Sequence, residues 1–199
     1  MESTPPPEQL VVADADAWRA WLDANETRSD GIRLVLAKKG VTEPTSLTYA
    51  EALEEALCSG WIDGRRNALD ESTFQQLFTP RRKASMWSQR NVDIVARLIA
   101  DGRMRERGHA EIERAKADGR WERAYSGQAE ATVPDDLDAA LTGSPAAAAH
   151  FASLTRADRY LAIHQVITAS TATLRAKRVG RFVAAWGSQP EASGLDSRG

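Results

Sequence analysis

Trp61-Ile62-Asp63-Gly64-Arg65-Arg66-Asn67-Ala68-Leu69-Asp70-Glu71-Ser72-Thr73-Phe74-Gln75-Gln76-Leu77-Phe78-Thr79 is the stretch on which the fold turns. Trp61-Ile62-Asp63-Gly64 opens one strand and residues 73–79 supply another. The polar residues at 67–72 fit a hairpin connection between them. An earlier run, Ile32-Arg33-Leu34-Val35-Leu36-Ala37, is short, apolar and partly β-branched, and it is bounded by Asp30-Gly31 and Lys38-Lys39-Gly40. That composition predicts a third strand. A small antiparallel sheet of about three strands follows.

Helical patterns surround these strands. Asp14 precedes Trp18, Trp21 and Leu22, which predicts a capped helix over residues 15–25 with its tryptophans turned inward. Ser46-Leu47-Thr48 opens a second helix with Ala52, Leu53, Ala56 and Leu57 on its apolar face and an acidic outer face, ended by Gly60. Beyond Pro80 the pattern is helical. Val92, Val95, Leu98 and Ile99 mark one helix, residues 106–117 another, and Val133-Pro134-Asp135-Asp136 and Ser144-Pro145 read as further helix starts. Tyr160, Ile163, His164 and Ile167 form one stripe and Val179, Phe182, Val183 and Trp186 a second. Ser170-Thr171-Ala172-Thr173 between them fits either a break capped by Thr171 or one long helix. The fold class is therefore α+β, with the sheet covered by helices on one face and a helical C-terminal region.

A chain of 199 residues with 42% hydrophobic and 27% charged residues can bury one substantial core. One domain over residues 11–186 is expected, with an α+β part at 11–125, a helical part at 130–186, and flexible tails at 1–10 and 187–199. The net charge of -2 conceals a gradient. Acids dominate up to Glu55, whereas residues 65–107 carry about twice as many basic as acidic side chains. The single cysteine, Cys58, sits in an apolar run and reads as a buried structural thiol. The first residues lack the basic start and apolar core of a signal peptide, and no apolar run approaches a membrane span, so a cytoplasmic location without membrane insertion is expected.

Lys38-Lys39, Ala56-Leu57-Cys58-Ser59-Gly60-Trp61-Ile62-Asp63-Gly64, Thr79-Pro80-Arg81-Arg82, Ser85-Met86-Trp87-Ser88, Asn91, Gly102-Arg103-Met104, Ala115-Lys116-Ala117-Asp118-Gly119-Arg120-Trp121, Ala124-Tyr125 and Val133-Pro134 follow one another along the chain. Read in that order, these motifs resemble the bacterial YdeI/OmpD-associated family, also labelled bacteriocin-protection proteins. The resemblance covers residues 18–183. It departs near the C-terminus, where Ala169-Ser170 and Leu174-Arg175 stand in place of the family's Ala-Lys and Thr-Arg pairs. It implies envelope or antimicrobial-resistance biology and carries no agreed catalytic mechanism.

The strongest local constellation is Arg81-Arg82-Lys83 followed by Ser85, Trp87, Ser88 and Asn91. If Ser88 caps a helix, free N–H groups converge near two guanidiniums and a hydroxyl, which suits a phosphate or carboxylate, with Trp87 as a stacking wall. The same residues equally fit a structural role: Trp87 in the core, Ser88 as a cap, and the arginines paired with acids at residues 51–55. Trp61 and Asp63 share one sheet face. There Asp63 fits a salt bridge to Arg65, Arg81 or Arg82, a ligand contact, or a general base. Lys38 and Lys39 fit a solvated strand end or the border of the same site. His109, His150 and His164 lack metal-ligand spacing, and no nucleotide-binding or nucleophile-elbow motif occurs. No metal and no cofactor are expected, and a pI near 6.0 argues against a broad nucleic-acid surface.

The leading expectation is a non-catalytic binding or stress-resistance module. Its partner is an anionic small molecule or acidic peptide, contacted through Lys38, Lys39, Trp61, Asp63, Arg81, Arg82, Ser85, Trp87, Ser88 and Asn91. The alternatives are an enzyme using Asp63 with Arg81 and Arg82, and a nucleic-acid or protein-interaction adaptor.

Overall fold

The computed structural model describes residues 8–127 and 129–188. The chain divides into two compact units, residues 1–122 and 123–199. Most of each expected tail, at 1–7 and 189–199, lies outside the described residues.

The first unit holds β1 (Gln9–Leu10), α1 (Ala15–Asn25), β2 (Ile32–Ala37), α2 (Tyr49–Cys58), β3 (Trp61–Ala68), β4 (Thr73–Pro80), α3 (Gln89–Ala100) and α4 (Glu106–Ala117). The sheet has four strands where about three were expected, in the order β1-β2-β4-β3. The addition is β1, which pairs parallel to β2 through Gln9 opposite Arg33 and Leu10 opposite Leu34. Two residues that end an expected tail show no alternation to read. The other pairings are antiparallel, with a register shift in β3 between Asp63 and Arg66.

Physical causes for the helices of this unit are local. Asp14 accepts from Ala17 N–H and starts α1, and Thr48 with Glu51 forms a reciprocal capping box on α2. Trp18, Leu22, Leu34, Leu36, Leu53, Trp61 and Phe78 are buried between these helices and the sheet. Trp18 stacks on Trp21, and its indole N–H donates to the Ala52 carbonyl at 3.1 Å, which satisfies the one polar atom it takes into the core. Ile99 is 43% exposed, so the apolar face of α3 is narrower than its spacing predicts.

α4 lies unusually close to the turn between α2 and β3. A Cβ on Gly108 would stand 2.3 Å from the Cys58 carbonyl oxygen, and Gly60 at that turn has φ +71°. Only glycine satisfies both positions without displacement of backbone.

The second unit holds α5 (Asp135–Thr142), α6 (Pro145–Ser153), α7 (Arg156–Ile167) and α8 (Ala172–Gly187). The two apolar stripes belong to separate helices, because Thr171 caps α8 by accepting from Leu174 N–H. Leu137, Phe151, Ile163, Val166, Val179 and Trp186 form its core. No helix among the described residues is long and apolar enough to cross a membrane.

Candidate functional site

Two clusters of arginines around a buried glutamate lie in the first unit. The first surrounds Glu55. This residue was expected on the acidic outer face of α2, but it is only 2% exposed, because it follows Ala52 by three positions and so borders the apolar stripe. Arg19 makes two hydrogen bonds to it, at 2.9 and 3.0 Å, Arg103 reaches it at 2.7 Å and Arg105 at 3.0 Å. Burial pushes the Glu55 carboxyl up, yet the hydrogen bonds from Arg19, Arg103 and Arg105 outweigh it and hold the group at about 2. Arg103 also bonds the neighbouring Glu54, which Arg97 shares. Glu54 and Glu55 thus pair with arginines of α1, α3 and the α3–α4 connection and, among the described residues, not with Arg81 or Arg82. Beside them Cys58 is fully buried, and burial followed by the charge of Glu55 raises its thiol to about 11, which keeps it protonated and unreactive.

The second cluster lies where β4 ends. Arg81 is 5% exposed, and the central carbon of its guanidinium lies over the ring of buried Trp87, 3.5 Å from the centroid. Trp87 meets Trp121 edge-on, with centroids 4.9 Å apart. Arg120, also 5% exposed, donates through Nη1 to the Ser85 carbonyl at 2.7 Å and through Nε to Asp118. From α4, Arg114 pairs with Glu111 and reaches toward the Arg81 carbonyl at 3.5 Å. Glu111 is 8% exposed. Burial raises its carboxyl above the ordinary range, against the opposing pull of Arg114, Arg120, Arg81 and Arg107. Three donor atoms here, Arg120 Nη2, Arg114 Nε and Trp87 Nε1, are buried without a hydrogen-bond partner among the described residues.

Of the residues expected at one site, the structure brings together Arg81, Ser85 and Trp87. Arg82 is exposed, and its backbone N–H donates to the Ser85 hydroxyl at 2.9 Å, closing the turn after β4. Ser88 caps α3 by accepting from Asn91 N–H at 3.2 Å, with Asn91 buried. Trp61 is fully buried and meets Trp21 edge-on, a core position. Asp63 lies toward the same helices and accepts from the Tyr49 hydroxyl at 2.8 Å. Burial first, and then Asp63, raise Tyr49 to about 12, so the tyrosine stays the donor.

Lys38 does not border this cluster. Its ammonium donates to the Asp70 carbonyl at 2.7 Å, at the hairpin end of the sheet, and Lys39 is exposed beside it. Ala37 pairs with Thr73, so the length of β4, about 23 Å, separates both lysines from Arg81.

Glu111, Arg114 and Arg120 were missed. On α4 the first two read as an ordinary solvated ion pair three residues apart, and Arg120 stands beyond the helix end, within the Ala115–Trp121 motif of the resemblance. The available signal was Gly60 with Gly108, two small residues that let α4 approach the end of the sheet. Among the described residues no group of three or more His, Cys, Asp or Glu side chains is placed to hold a metal ion.

Residues 10–111 match a family described as a domain of unknown function, DUF8412, and residues 130–188 match the family described as bacteriocin-protection, YdeI or OmpD-associated. Most of the motifs behind the resemblance, from Lys38 to Met104, fall within the first match, and Val133-Pro134 falls within the second. No curated protein and no solved structure matches the chain.

Proposed function

Because the chain belongs to DUF8412 over residues 10–111 and to the YdeI/OmpD-associated family over residues 130–188, we propose that it is a non-catalytic binding protein serving stress or antimicrobial resistance. Its ligand is an anionic small molecule or an acidic peptide, held at the cluster of Arg81, Arg114 and Arg120. The observation that carries this reading is Arg120, a buried guanidinium with Nη2 unpartnered among the described residues, in a group where four arginines act on one glutamate.

Buried like charges repel strongly at low dielectric, and an oxyanion offsets that repulsion while accepting from the open donors. Arg81 lies on Trp87, so one wall of the site is held rigid. Ser85 contributes its carbonyl as the anchor of Arg120, while exposed Arg82 and Lys83 form the approach from solvent. The bacteriocin-protection label of the second family fits a protein that sequesters or senses a ligand.

The test is thermal denaturation of the full chain with inorganic phosphate, sulfate and a tetraglutamate peptide. At least one should raise Tm in a saturable way, and Arg120→Gln should remove that response. If no anion stabilises the parent protein, or if Arg120→Gln folds and responds as the parent does, the reading fails.

A further inference from the structure

The second unit contains a cleft of about 270 Å³ that is independent of the arginine cluster above. Its apolar lining includes Ala131 together with Ile163 and Ile167 of α7, and Tyr125 forms a wall. The Tyr125 ring is set edge-on to His164 at 4.7 Å. Arg123 and Arg175 bring positive charge, and no acidic side chain is among the lining residues. The adjoining cleft, which shares Ala131 and Ile163, is lined by Arg156 and Arg159 and again by no acid. In a chain with more acidic than basic residues, 28 against 26, two neighbouring concavities whose charged lining residues are all arginines are a directed charge pattern.

Arg175 is held in one orientation by Asp136. It donates through Nε and Nη2 to the two oxygens of Asp136, at 2.7 and 2.8 Å, and Asp136 is not a lining residue. That fork fixes the guanidinium plane, and a guanidinium has five N–H donors, so others stay available to a second acceptor. The volume lies just below the range for drug-sized ligands, which limits the occupant to a small metabolite.

We propose that this cleft binds a small carboxylate with an apolar, ring-sized body, the ring against Ile163 and Ile167 and the carboxylate toward Arg175. The site goes beyond the anion reading of the first unit and does not depend on it.

The test uses the full chain with sodium benzoate as probe and benzyl alcohol as its neutral counterpart, followed by saturation-transfer NMR and calorimetric titration. Benzoate should bind saturably, at least tenfold more tightly than benzyl alcohol. Arg175→Lys, which keeps the charge and loses the fork, should weaken benzoate at least tenfold. Ala131→Leu, which enlarges a lining side chain, should abolish binding while leaving any sulfate response of the first unit intact. The proposal is overturned if the parent shows no saturable benzoate binding, if benzyl alcohol binds equally well, or if either folded variant binds as the parent does.

Discussion

Glu55 and Glu111 are both buried glutamates set among arginines in the same unit, yet their surroundings act in opposite directions. At Glu55 every invoked arginine is hydrogen-bonded, and the carboxyl sits far below its ordinary range. At Glu111, among the described residues, Arg114 alone is hydrogen-bonded to it, the carboxyl is raised, and Arg120 Nη2 and Arg114 Nε have no hydrogen-bond partner. The number of charges is similar. What differs is how many donors have acceptors, and this separates an internal brace from a place that can receive one. A buried polar network whose members are all paired holds a fold together, whereas one with spare donors draws in a further acceptor.

The largest way to break the contrast is Glu55→Gln, which leaves Arg19, Arg103 and Arg105 without their shared countercharge. Those arginines are partly exposed, so water recovers some of the loss, and an unfolding free energy lower by about 3 kcal/mol in urea titration is expected. The same energy should be visible through pH. Because the folded carboxyl is depressed from 4.5 to about 2, its contribution is complete above pH 4.5 and is lost as pH falls toward 2. The decline should total on the order of 3 kcal/mol and be flattened in Glu55→Gln.

A smaller change is expected at the second cluster. Glu111→Gln removes the carboxylate that competes with a ligand for the arginines, and sulfate affinity by calorimetry should rise about tenfold, the scale of one charge at moderate distance in a protein. Sulfate stays dianionic, so in the parent its binding should also tighten as pH falls into the range where the raised Glu111 carboxyl takes its proton, and this trend should vanish in Glu111→Gln. The smallest effect belongs to Arg114→Ala. The side chain is 38% exposed, and the stability lost should stay under about 1 kcal/mol by chemical denaturation.

The order of legibility follows the range of the physics. Caps and periodicity are local, so α1, β2 and α4 were readable to the residue, as were the capping roles of Asp14, Ser88 and Thr171. β1 was missed because two residues carry no period, and its partner strand lies more than twenty positions away. Arg81, Ser85 and Trp87 were legible as a group because they are close in sequence. Their partners Arg114 and Arg120 are more than thirty positions away; Arg114 carries the same local signature as any exposed helix charge, and Arg120 lies in the turn beyond α4. Position on a helix could have distinguished Glu55 from Glu51: Glu55 is three residues beyond Ala52, at the edge of the buried stripe, and Glu51 serves the cap.

Gly108 gives the second cluster its mechanical setting. α4 rests there against the Cys58 carbonyl with no room for a methyl group, and Arg114 lies six residues farther along, about 9 Å at the rise of a helix. The glycine is therefore a fulcrum and the rest of α4 a lever arm. A wedge as thin as one carbon at residue 108 would tilt the far end, where the 3.5 Å reach from Arg114 to the Arg81 carbonyl has no slack. The charge geometry at the end of the sheet is thereby calibrated by a residue that carries no charge.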